Sequence, residues 1–156
     1  MEKREIEILQ NLGFVKTTYD EDCNFDEYFS INPEYYYETE FAVKGDHSYD
    51  AVQILYIDNE PTKGLYYNSS LIDELYFSGY EKEIQDLFNN SKKYLQDNNF
   101  ITGDFLLEKR SSKVWFVINC EIQEQYKMQR NVAEFIKVIA SLEYFAQQLD
   151  QKLNNN

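Results

Sequence analysis

Five glycines, two prolines, two cysteines and one histidine are all that this chain of 156 residues holds of those types, and each scarcity removes a class of chemistry. The glycines are scattered singly, so there is no glycine-rich loop to cradle a phosphate. Any Ser-His-Asp or Cys-His relay would have to run through His47. That residue lies in Gly45-Asp46-His47-Ser48, a turn context with no cysteine nearby, and reads as a surface-loop histidine. Cys23 and Cys120 are far apart and lack a second set of ligands, which excludes a closed zinc site and a disulfide framework; they read as buried thiols in a reducing compartment. No segment approaches the ~18 apolar residues of a membrane span, and Met1 to Glu7 carries charge without the apolar centre of a signal peptide. A cytoplasmic location without membrane contact is expected. Bases are scarce too: 15 Lys and Arg face 28 Asp and Glu, a net charge of -13. Nucleic acid is therefore not expected as a partner, because gripping a phosphate backbone needs clustered Lys and Arg.

What is present argues for a folded chain. Hydrophobic residues at 43% and aromatics at 17% exceed what a disordered segment carries, and the length suits a single α+β domain over residues 1–156. The acids are concentrated: from Asp20 to Glu60 there are twelve against one base, Lys44. Eleven of the fourteen tyrosines fall between Tyr19 and Tyr80, interleaved with those acids. Tyrosine lines half-buried sheets and also anchors protein interfaces, while a dense negative surface either keeps a protein dispersed or receives a basic partner.

The chain is organised around Phe105 to Leu153. Phe105 to Glu108 and Val114 to Ile118 read as two apolar strands joined by the polar turn Lys109 to Lys113. A long helix follows, with Met128, Val132, Phe135, Ile136, Ile139, Leu142, Ala146, Leu149 and Leu153 on one stripe. Earlier, Glu2 to Leu12 predicts an amphipathic helix capped by Gly13, and Phe14 to Tyr19 a strand. Tyr28 to Ile31, Tyr35 to Val43 and Ala51 to Ile57 read as consecutive antiparallel strands, and Gly64 to Tyr67 as a short edge strand. Alternation in the second of these puts Tyr35, Tyr37, Thr39, Phe41 and Val43 on a core-like face and Tyr36, Glu38, Glu40 and Ala42 on the other. Ser69 to Tyr80 has helical spacing interrupted by Gly79 and aromatics, and Glu81 to Asn98 predicts a second amphipathic helix through Ile84, Leu87, Phe88 and Leu95. The expected fold is α+β: an antiparallel sheet with an N-terminal, a central and a long C-terminal helix packed on it.

Two acidic groupings could carry chemistry. Asp20, Asp22 and Asn24 occupy the first, third and fifth positions of an EF-hand loop, but Phe25 stands where the turn glycine is needed and Ile31 where the bidentate glutamate is needed, so calcium is not expected. Glu38, Glu40 and Asp58 could form a carboxylate cluster for general acid and base work or for metal ions. The simpler reading is the solvated face of a sheet.

The order helix, strands, helix, two-stranded hairpin, long C-terminal helix resembles the architecture of type III secretion chaperones, shared by YbjN-like bacterial proteins. The resemblance is carried by Gly103 to Glu108, by Lys113 to Asn119 and by the helix with Phe135, Ile136, Leu142 and Phe145. It departs from that group in the strand-rich, tyrosine-rich segment Tyr28 to Tyr67. The resemblance implies a small acidic cytosolic protein that binds an extended client segment and catalyses nothing; a homodimer would be in keeping with it.

The leading expectation is a non-catalytic, chaperone-like module that holds a partner polypeptide of basic surface through an acidic, tyrosine-rich sheet. The residues expected to meet the partner are Tyr28, Tyr35, Tyr36, Glu38, Glu40, Asp58, Tyr66 and Tyr67. No catalytic residue, resident metal or cofactor is assigned. The second expectation is an immunity protein blocking the basic active site of a toxin such as a nuclease. The third is a carboxylate-metal enzyme working through Glu38, Glu40 and Asp58.

Overall fold

Six short strands pair into one antiparallel sheet, and amphipathic helices bury their stripes against it. The computed structural model describes residues 3–18, 35–41, 52–57, 63–97, 105–110, 112–122 and 124–154. Within them, α1 (Lys3–Asn11) leads into β1 (Val15–Thr18), β2 (Tyr35–Phe41), β3 (Val52–Ile57) and β4 (Gly64–Asn68). A short α2 (Ser70–Leu75) and a π-helical turn (Tyr76–Tyr80) then run into α3 (Glu81–Asp97). The hairpin β5 (Phe105–Arg110) and β6 (Lys113–Asn119) precedes α4 (Gln125–Asn154). The strand order is β1-β2-β3-β4-β6-β5, antiparallel at every step. The expected α+β arrangement, with a long C-terminal helix on an antiparallel sheet, is what the chain adopts.

Local chemistry sets the element ends. Past α1 the chain turns at Gly13, whose φ of 91° is the left-handed conformation that glycine adopts cheaply. The Phe14 N–H donates to the Leu9 carbonyl at 2.9 Å and the Gly13 N–H to the Gln10 carbonyl at 3.0 Å, a Schellman closure, with Phe14 and Leu9 both buried beside it. The helical spacing within Ser69 to Tyr80 resolves into two pieces. Ser69 caps α2, its side-chain oxygen accepting from the Ile72 N–H, and the π-turn bends at Gly79 with φ of 107° before α3 begins.

Two details differ from the sequence reading. Gly64 to Tyr67 was expected at an edge, whereas β4 is central, between β3 and β6, with Leu65, Tyr66 and Tyr67 all buried. The polar turn Lys109 to Lys113 is also shorter than expected, because the strands continue until Arg110 pairs with Lys113. Charged residues can extend a hairpin when their backbones pair, whatever their hydropathy. The strand expected at Tyr28 to Ile31 lies outside the described residues.

One alternation class of the sheet joins the main core: Tyr37, Ile54, Tyr56, Leu65, Tyr67, Phe105, Val114, Phe116 and Ile118 meet Ile8 and Leu9 of α1, Ile72 and Leu75 of α2, Ile84, Phe88 and Leu95 of α3, and the stripe of α4. Phe88 lies 4.8 Å from Phe105 and 6.1 Å from Phe116 between ring centres, and Phe135 meets Phe105 edge-on. The stripe on α4 falls where its spacing put it: Met128, Val132, Phe135, Ile139, Leu142 and Ala146 are buried, and Ile136, Leu149 and Leu153 pack at the rim. The other class, with Ile57, Tyr66, Trp115 and Val117, is buried apart from that cluster, Tyr66 meeting Trp115 edge-on at 6.4 Å.

Candidate functional site

The strand β2 carries four of the residues expected to meet a partner. Its pairing sets Tyr35 opposite Thr18, Tyr36 opposite Thr17 and Glu38 opposite Val15 on one side, and Glu38 opposite Leu55 and Glu40 opposite Gln53 on the other. Tyr36, Glu38 and Glu40 thus share one alternation class, and Tyr37, buried at 1% exposure, belongs to the other. Tyr37 thus lies on the core side, as the alternation predicts. Val15, directly opposite Glu38, is 64% exposed, which puts an apolar side chain in water beside a strand that bears acids.

Tyr66 and Tyr67 are interior instead of partner-facing. Their strand is central and flanked on both sides, so one ring enters the main core and the other the opposite layer. Tyr67 stacks on Phe116 at 6.3 Å between ring centres. Tyr28 and Asp58, together with His47, Cys23 and the Asp20-Asp22-Asn24 run, lie outside the described residues. For the carboxylate reading the register matters: as β2 proceeds from Tyr37 to Phe41, its partners run from Tyr56 back to Val52. Glu40 therefore lies toward the start of β3, away from the Ile57 end that leads to residue 58. Among the described residues no three or more His, Cys, Asp or Glu are grouped to share a metal ion.

Sequence reasoning missed the polar groups buried under α4. Glu143 is 1% exposed and accepts a hydrogen bond at Oε1 from the Tyr67 hydroxyl, while its Oε2 has no partner. Burial pushes this carboxyl up to about 7. Nine residues earlier on α4, the buried Glu134 meets a different fate: its Oε1 accepts from Lys137 Nζ at 3.0 Å, a cation that reaches out to solvent. The signal for Glu143 was in the spacing, since it follows Ile139 by four residues and stands next to Leu142 within the apolar stripe. A second, half-buried anchor is Asp73 of α2. Its Oδ1 accepts from the Val114 N–H at 2.7 Å, and both of its oxygens accept from Asn68 Nδ2 at 3.0 Å, tying the helix to β4 and β6. Burial raises its pKa, opposed by those two donors and by the charge of Lys113. Cys120 is half-buried, and burial pushes its thiol up to about 12, which disfavours the nucleophilic thiolate.

A groove of about 310 Å³ lies between α3 and α4, lined by Asn90, Ser91, Tyr94, Lys137, Val138 and Ser141. Val138 forms an apolar floor at 4% exposure, and Tyr94 stands beside it at 46% exposure.

No known family model, no characterised protein and no solved structure matches this chain. Among the described residues no helix is long and apolar enough to cross a membrane.

Proposed function

We propose that this chain is a non-catalytic binding module that holds a basic partner polypeptide against the β1–β2 end of its sheet. The observation that carries the reading is the pairing of exposed Val15 with Glu38, next to the alternation class of Tyr36 and Glu40, in the part of the sequence where acids outnumber bases twelve to one. Apolar contact gives such a surface affinity, and carboxylates give it rate and choice of partner. Tyr36 of β2, in the alternation class of Glu38 and Glu40, would supply an aromatic anchor of the kind that dominates interfaces. The reading is in keeping with the resemblance to secretion chaperones, whose clients lie extended along the protein, and with a cytoplasmic location. An immunity role uses the same surface and differs only in the identity of the partner.

A tagged pull-down from the native host lysate at low and at high salt tests this. A single stoichiometric partner with a basic surface, retained at about 0.05 M salt and lost at about 0.5 M, is the expected result, because screening shortens the reach of exposed charges from above 10 Å to a few ångströms. A secreted toxin in that position would make the module an immunity protein, and a secretion client would make it a chaperone. A partner retained equally at both salt concentrations would remove the electrostatic basis of the proposal.

A further inference from the structure

The groove between α3 and α4 is chemically unlike the acidic strands. Over the facing stretches 86–97 and 130–141 the cations Lys92, Lys93, Arg130 and Lys137 outnumber the carboxylates Asp86, Asp97 and Glu134, in a chain whose net charge is -13. More of its lining surface is apolar than polar and it is open to solvent, so a ligand can enter without any movement of the helices. We infer that this groove binds a small organic acid, an apolar body of about ten non-hydrogen atoms carrying one carboxylate that Lys137 receives.

Size, apolar contact and charge each contribute to that assignment. The volume of about 310 Å³ is at the small end of ligand sites. Val138 and the face of Tyr94 supply the apolar walls. The hydroxyls of Ser91 and Ser141 donate back to the carbonyls of Leu87 and Lys137 at 3.0 Å, so they offer the groove acceptor lone pairs and no free proton. Lys137 is the one charged group in the lining. Its ammonium donates one hydrogen bond to Glu134, which is 6% exposed beneath it, and this contact holds the ammonium in place. Two further N–H donors of the ammonium remain for a ligand. The Glu134–Lys137 hydrogen bond keeps Lys137 protonated throughout the physiological range, since it raises the lysine pKa. An anionic head at Lys137 with an apolar body along Val138 and Tyr94 matches the ammonium and the apolar walls, whereas a cationic ligand would meet the lysine head-on.

The test titrates ¹⁵N-labelled full-length protein with 3-phenylpropionate and, in parallel, with the isosteric neutral 3-phenylpropionamide. The expected result is saturable amide shifts confined to residues 90, 91, 94, 137, 138 and 141, with the carboxylate at least tenfold tighter than the amide. Ser141→Trp fills the groove from an exposed helix position and should abolish those shifts while the melting temperature holds; should that variant not fold, the acid–amide comparison on the wild-type protein decides alone. Absence of localised shifts, equal affinity for acid and amide, or undiminished binding in a folded Ser141→Trp protein would overturn the inference. Glu38→Lys/Glu40→Lys, which breaks the partner surface, should leave this titration unchanged, so the two proposals fail separately.

Discussion

At the β4–β6 part of the sheet tyrosine is interior, stacked on Phe116 and bonded to a buried glutamate, whereas at the β1–β2 end an apolar valine stands in water opposite a glutamate. Both regions draw on the same mixture of aromatic, β-branched and acidic residues. What separates them is position in the strand order. β4 and β6 lie in the middle of the sheet, and their residues are buried on both faces. β1 has β2 on one side and, among the described strands, is the last of the row. Alternation along a strand thus reports which face a residue takes, and strand order reports how deep that face lies.

The largest expected effect is at the inner region. Phe116→Ala empties a fully buried site that touches Tyr67 and Phe88, and should cost about 3–5 kcal/mol in urea denaturation. Next comes pH. Glu143 keeps its proton in the folded chain up to about 7, against an ordinary value of 4.5 when unfolded. The folded state binds the extra proton between those values, so the unfolding free energy should fall as pH rises through that window, by on the order of 3 kcal/mol. Glu143→Gln should flatten that slope; among the described residues Asp73 adds a contribution of the same sign, because its pKa is also raised in the folded chain. A slope unchanged in the Gln variant would show that the carboxyl is not the group responsible. Tyr67→Phe keeps the ring contacts and removes the one donor to Glu143, leaving both carboxyl oxygens without a partner; about 1–3 kcal/mol should be lost, with the midpoint of the pH transition moved upward. At the outer end Val15→Lys should change stability by no more than about 0.5 kcal/mol, as surface substitutions do. A large loss there would mean that the β1 edge is structural, and would erase the contrast between the two regions.

Much of the fold was legible. The helix closed by Gly13, the helix through Ile84 and Leu95, and the stripe from Met128 to Leu153 each follow from periodicity that local chemistry reinforces. The central placement of β4 was not legible, because it depends on the pairing of Asn68 with Trp115 across a long stretch of chain, and no local pattern encodes that partner. With it went the depth of Tyr66 and Tyr67. Glu143 was hidden for a related reason: a carboxylate inside an apolar stripe reads as an interruption of the stripe until Tyr67 is known to face it. Of the candidate surface, the division of β2 into Tyr37 and the Tyr36-Glu38-Glu40 class could be read directly, since a period of two needs no tertiary information.

The decisive measurement for the β1–β2 end as partner-binding surface is the affinity of the captured partner for wild-type protein and for Glu38→Lys/Glu40→Lys, each from about 0.05 to 0.5 M salt. Loss of at least tenfold in affinity at low salt, with a flattened salt dependence and an unchanged melting temperature, is the predicted result. Equal affinity and equal salt dependence for the two proteins would contradict it, and would place the partner elsewhere on the molecule.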